Sequence, residues 1–426
     1  MPLTRYSRFS GIFLSFFFCP ASVSAGTLKT LYSFHGDDGS NPAAVTVGAG
    51  GVLYGVTSYG GAFGTYGGTV FSLSPPASPN GSWTQVILRS FGGAGDGSLP
   101  SASLAIRKGV LYGTTSSGGT YGYGTFFSLS PPASPGGDWT ETLLWNFGGS
   151  GDGTYPGGIL SGEGGVFYGI TSQGGAFGMG TVYSLAPPAS SGLPWTETVL
   201  YSFAGGVDGS EPSSEGPGLA MDSAGVLYGT TGSGGDWTEG IAFSLAPPAA
   251  PGGAWTETVL HAFRGGLDGG FPGGGVILGK NGVLYGTTVG GGPGSGGTIF
   301  SLTPPASSGG AWRETVLYRF EPANGIFELG YEPWCNLLQV GGALYGTTFS
   351  GGTSASPSYP GYGVVFELEP PVSHGAAWTL DVLFDFDFGD GSLSRFGLVR
   401  DASGVFYGTT LNGGEDVVGT VFSYQQ

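Results

Sequence analysis

Val226-Leu227-Tyr228-Gly229-Thr230-Thr231 is a short β-like run bounded by Gly225 and Gly232, and the fold follows from how often it returns. The string Leu/Phe-Tyr-Gly-x-Thr begins at Leu53, Leu111, Phe167, Leu227, Leu284, Leu344 and Phe406, at intervals of 56 to 62 residues. Three further β-like runs accompany each copy. A small-residue and aliphatic run (Val276 to Leu278) precedes it, and Gly-Thr-Val-Phe-Ser-Leu (Gly68 to Leu73) and Trp-Thr-Glu-Thr-Val-Leu-Tyr-Ser-Phe (Trp195 to Phe203) follow it. Taken in order as strands A to D, they are separated by Gly, Pro, Asp-Gly and Ser, the chemistry of tight antiparallel connections. Strand D is apolar on both faces, as Val199, Tyr201 and Phe203 against Leu200 show, so its sheet lies between two neighbouring sheets.

Seven four-stranded units of this length predict an all-β, seven-bladed β-propeller. The termini supply a check. The last copy has A (Phe396 to Arg400), B (Val405 to Thr410) and C (Gly419 to Tyr424) and lacks D, while Thr27 to Phe34 reads as a D strand without a blade. The two ends complete one blade, and closure removes the unpaired edges of an open array.

Composition agrees. The 426 residues include 90 Gly and 29 Pro, enough to suggest disorder, but also 9 Trp, 21 Tyr and 29 Phe, far more aromatic surface than a disordered chain carries. Gly recurs too often for long helices and without the three-residue period of collagen. The formal charge of −17 excludes a nucleic-acid partner, because the cationic contacts that release phosphate counterions are missing. Cations, neutral glycans and other proteins remain as partners.

Residues 1–25 read as a secretory signal, with Arg5 and Arg8 at the start, an apolar run from Phe9 to Phe18, and Val23-Ser24-Ala25 as the cleavage site. The expectation is a single propeller domain over 26–426, secreted or periplasmic, not held to a membrane after cleavage, and monomeric. Cleavage leaves Cys335 as the sole thiol, so no internal disulfide forms. Without a His or basic residue near it in sequence, Cys335 reads as a small buried apolar residue.

The copies resemble the GloVer tandem-repeat family of secreted bacterial proteins, also described by their choice of anchor. The matching stretches are Leu227 to Thr231, Gly68 to Leu73, and Thr198 to Phe203 with Asp208-Gly209. The resemblance spans nearly all of the mature chain; it implies export and a repeat fold and transfers no catalytic residue. Members often end in an anchoring segment, whereas this chain ends on strand C.

In a four-stranded antiparallel meander the D-to-A and B-to-C connections leave one end and the A-to-B and C-to-D connections the other. The first face carries Asp38-Gly39, Asp96-Gly97, Asp152-Gly153, Asp208-Gly209, Asp268-Gly269 and Asp390-Gly391. These are turn formers or a Ca²⁺-gathering ring; Asp385, Asp387 and Asp390 resemble a calcium loop with the third carboxylate one place late. No other cofactor is implied. The same face carries Gly-Gly-aromatic loops, among them Trp237. The opposite face carries Pro-Pro loops in which Pro75 to Trp83, and its five equivalents, keep an offset of 8, a packed structural element.

Symmetry breaks in the sixth copy, where Glu321 to Asn336 replaces the Asp-Gly turn and the loop from Phe349 to Tyr362 is the longest of its kind. Both fall on the first face. The candidate ligand-binding residues are therefore Trp237, Glu328, Tyr331, Glu332, Trp334, Tyr359 and Tyr362. His35, His261 and His374 lie in different blades, which excludes a His-metal cluster or a Ser-His-Asp triad. Two function classes stand: a non-catalytic binding or scaffold module for glycans or other extracellular ligands, and a polysaccharide-active hydrolase or lyase using carboxylates of the same face. No catalytic residue is assigned.

Overall fold

The computed structural model describes residues 26–426 apart from 79, 80, 135, 191, 214, 215, 217, 251, 308, 357 and 374. Residues 1–25, expected from sequence to be a secretory signal, and His374 thus lie outside the described residues.

Seven antiparallel sheets follow one another, each ordered A-B-C-D, as a seven-bladed β-propeller. In blade 4 the strands are Leu219–Met221, Leu227–Ser233, Ile241–Ala246 and Thr256–Ala262. Blade 7 is built from both ends of the chain. Val399–Arg400, Phe406–Thr410 and Thr420–Gln425 supply A, B and C, and Thr27–Ser33 supplies D, paired from Thr27 with Gln425 to Ser33 with Thr420.

Each repeated residue type has a packing cause. Gly229 admits the Phe243 ring of strand C; a Cβ there would lie 2.7 Å from Phe243 Cζ. Phe243 then meets Phe203, which ends strand D of the preceding blade. The same pairing of a strand C ring with a fully buried Phe of the blade before it recurs at all seven interfaces, with centroids 4.9 to 5.8 Å apart. Phe34 against Phe71 carries it across the closure. Thr230 Oγ1 donates to the Gly274 carbonyl of the next blade at 2.9 Å, while Thr231 Oγ1 accepts the Ile241 N–H at 3.2 Å inside its own.

The Trp of the constant-length loops does more than cover the base of its own blade. Trp139, Trp195, Trp255, Trp312, Trp378 and Trp83 each pack edge-on or tilted against the Leu/Phe-Tyr-Gly tyrosine of the preceding blade, at 6.0 to 6.4 Å. Trp312→Ala is expected to cost about 2–3 kcal/mol, less than for deleting a fully buried large ring because Trp312 is only partly buried. A denaturant melt giving a cost under about 0.5 kcal/mol would remove the staple role.

Candidate functional site

The two loop sets assigned to one face are bonded to each other in every blade. Gly61, Gly119, Gly175, Gly235, Gly292, Gly352 and Gly414, all in B-to-C loops, donate their N–H to carbonyls in the D-to-A turn of the same blade. The Asp of those turns is consumed locally: Asp208 Oδ2 accepts the Ala204 N–H at 2.8 Å and the Tyr201 hydroxyl at 2.9 Å. Two of the three calcium-loop carboxylates are bonded locally, Asp385 accepting from the Thr353 N–H and Asp387 from the Gly389 and Asp390 amides.

After each turn the chain passes through one residue in the left-handed region: Asn41, Leu99, Tyr155, Glu211, Phe271, Glu332 and Leu393, with φ between 52° and 59°. None is glycine, and such a conformation costs about 1 kcal/mol or more per residue. The cause is an inter-blade latch. Each of the seven donates its N–H to a carbonyl in the B-to-C loop of the preceding blade, at 2.8 to 3.1 Å.

Two residues further on come seven equivalent positions, Ala43, Ser101, Gly157, Ser213, Gly273, Trp334 and Arg395, of which Ser101, Ser213, Gly273, Trp334 and Arg395 line cavities at the mouth of the central channel. Five are small. The two large ones are neighbours, with the Arg395 guanidinium 4.8 Å from the Trp334 ring centroid. A cavity of about 290 Å³ bounded by Trp334, Arg395, Glu211, Phe271, Ser172 and Ser233 lies on one side of this pair. Another of about 330 Å³, with Asn41, Tyr59, Ser101 and Ser116, lies on the other side of Arg395. A further cavity of about 420 Å³ is lined by residues at or beside strand A of all seven blades, including Val45, Leu160, Leu219, Val276, Leu337 and Leu398.

The structure divides the residues singled out in sequence. Tyr331 and Tyr359 line one cavity of about 350 Å³ with Phe327, because Tyr331 pairs with Ser350 across the two long loops of blade 6. Tyr362 closes this aromatic group, 5.1 Å from Tyr359 and 5.6 Å from Phe388. Trp334 turns away to the channel mouth. Glu332 is the latch residue between them, with its carboxyl pushed up by burial. Glu328 is exposed, and Trp237, 57% exposed on blade 4, joins neither cavity. Cys335 is fully buried, its Sγ accepting the Thr347 N–H at 3.2 Å and its thiol pushed up to about 11 by burial.

Sequence reading missed a second set of acids. The second residue of strand D, the Glu of Thr-Glu-Thr in blades 2 to 4 and of Arg-Glu-Thr in blade 5, leans toward the Asp-Gly turn between its blade and the one before. Glu141 meets Asp96, Glu197 meets Asp152, Glu257 meets Asp208 and Glu314 meets Asp268. Burial first and the neighbouring Asp second push Glu197 up to about 8 and Glu257 and Glu314 up to about 7. Glu141 rises to about 7 from the same two causes, against the opposing charge of Arg89. The available signal was a Glu recurring at one position of an otherwise apolar strand.

The model of the Gloeobacter/Verrucomicrobia repeat matches residues 18–135, 78–250, 135–327 and 218–426. No curated protein matches the chain. Among solved structures, the extracellular domain of the one-component system BT4673 from B. thetaiotaomicron is 10% identical with a TM-score of 0.50 over 92% of this chain and 39% of that one. A PQQ-bound aldose sugar dehydrogenase from Streptomyces coelicolor is 14% identical, with a TM-score of 0.41 over 94% of this chain and 98% of that one. A xylotriose-bound GH43_1 enzyme from Xanthomonas citri is 14% identical, with a TM-score of 0.31 over 69% and 91%. At 10% identity the likeness to the first of these is one of fold alone.

Proposed function

The chain belongs to the Gloeobacter/Verrucomicrobia repeat family, and from that premise we propose that it is an exported, non-catalytic binding module whose channel mouth takes a glycan. The observation that carries this reading is the inner ring. Small residues at every position would leave a featureless funnel, but blade 6 places one large aromatic face there, braced by a stacked guanidinium. An apolar face beside a few convergent polar groups is the usual make-up of a small-ligand site, and here the polar groups are Glu211, Ser172 and Ser233. A pyranose ring offers one apolar face to Trp334 and hydroxyls to the surrounding oxygens.

The Tyr331-Tyr359-Tyr362 group is a second aromatic surface on the same side of the ring, suited to extending the contact along an oligosaccharide. The long loops of blade 6 thus serve both surfaces.

Affinity electrophoresis through gels containing neutral polysaccharides tests the reading. Retardation by at least one polysaccharide is expected, with Trp334→Ala weakening it roughly 30-fold, the scale of about 2 kcal/mol at a single aromatic anchor. Unretarded migration in every gel, or equal retardation of parent and variant, would contradict it. Release of reducing ends or unsaturated products from the same polysaccharides would replace binding with catalysis.

A further inference from the structure

We propose that the cleft between blades 4 and 5 is a divalent transition-metal site of the zinc class, formed by His261, Asp268 and Glu314. His261 lies on strand D of blade 4, Thr256–Ala262, Asp268 in the following turn, and Glu314 on strand D of blade 5, Arg313–Arg319. His261 Nε2 is 3.2 Å from Asp268 Oδ2, and one ligand atom from each of the three residues lies within 4.8 Å of the others. Among the described residues this is the sole such group. The His261 and Asp268 side chains are 16% and 19% exposed, so the group lies in a cleft rather than on open surface. Glu314 Oε1 is buried and has no hydrogen-bond partner.

The other copies of the cleft supply an internal comparison. Between blades 1 and 2 the position of His261 is taken by Arg89, whose Nη2 is 2.6 Å from Asp96 Oδ2 and whose Nε is 2.7 Å from Glu141 Oε2. The cleft is therefore shaped to hold a positive centre between its two carboxyl groups. Trp145 and Tyr201 occupy that position in the next two clefts, bonding Asp152 and Asp208, and Glu197 Oε1 and Glu257 Oε1 are left without partners. Only in the fourth does the position carry a metal-ligating side chain.

An imidazole nitrogen with two carboxylates, completed by water as the fourth ligand, suits Zn²⁺ better than Ca²⁺, which prefers six or more oxygens. Arg264 and Arg319 flank the cleft, and their charge favours the ionised form of Glu314. The same charge opposes a divalent ion, so the expected Kd is on the order of 10 µM rather than nanomolar.

Calorimetric titration of the full mature chain with ZnCl₂ tests the site, with Co²⁺ absorption as a second readout of tetrahedral coordination. One Zn²⁺ per chain is expected, lost in both His261→Arg and Asp268→Asn. His261→Arg rebuilds the Arg89 arrangement, so its melt should equal or exceed that of the metal-free parent, which separates loss of the site from loss of the fold. A parent that takes up neither ion would overturn the proposal and leave His261 as an imidazolium partner of Asp268. Uptake by His261→Arg equal to the parent's would also overturn it.

Discussion

Removal of residues 26–34 is expected to abolish the single cooperative melt of this protein and to drive the shortened chain into aggregates. The segment is far from an N-terminal tail in energetic terms. Thr27–Ser33 makes the outer ladder of blade 7, and Phe34 is fully buried with its N–H donated to the Gly419 carbonyl at 3.0 Å. Losing the Phe34 ring alone costs about 3–5 kcal/mol. Losing the strand also exposes the edge of Thr420–Gln425, an apolar run of the kind that pairs with other chains. Circular dichroism melts with size-exclusion profiles check this. A truncated chain that stays monomeric and melts within about 2 °C of the parent would show that the ring does not depend on its closure.

Raising the pH from about 5 to about 8.5 is expected to destabilise the protein, the reverse of acid denaturation. Four interblade Glu carboxyls are held above their ordinary range, Glu197 up to about 8 and Glu141, Glu257 and Glu314 up to about 7. In the unfolded chain they ionise near 4.3. The folded state therefore binds these protons more tightly, so their stabilising contribution is complete below the unfolded value and is lost as pH rises through about 7 to 8. Each tenfold gain in proton affinity on folding is worth about 1.4 kcal/mol at full effect; water reaching each cleft reduces the loss to about 1 kcal/mol per pair. Asp268 and Asp401, both lowered despite burial, the first by His261 and the second by hydrogen bonds led by Ser403, act in the opposite sense and lose their contribution in stronger acid. Stability is thus highest on the mildly acidic side. Glu197→Gln should flatten the alkaline limb, and a parent equally stable at both pH values would contradict the account of the raised carboxyls.

The ring was legible because its signal is repeated. Seven copies of Leu/Phe-Tyr-Gly-x-Thr, each followed by a Gly-led apolar run such as Gly68 to Leu73, fix strand identity, and the stray Thr27–Phe34 run fixes closure. Face assignment was legible because antiparallel connections alternate ends, and the Gly61-to-Gly36 bond and its six equivalents follow from that. The site was less so. Tyr331 and Trp334 are three residues apart yet serve different cavities, because Glu332 at φ 55° reverses the chain between them to latch onto Gly296. A residue preceding proline does not advertise a left-handed conformation. The carboxyl pairs were hidden for another reason. Asp152 and Glu197 belong to one cleft only once strand D of one blade is laid beside the next, a relation absent from the local pattern of either strand.

Hydrogen exchange of backbone amides, followed by mass spectrometry on the chain from residue 26 onward, tests the central claim directly. Closure requires peptides covering Thr27–Ser33 to exchange as slowly as those covering Thr420–Gln425, since the two strands share one ladder. Exchange of the N-terminal peptide within seconds, beside a protected C-terminal strand, would mean an open array, and the seven-residue mouth with Trp334 and Arg395 would no longer stand as one site.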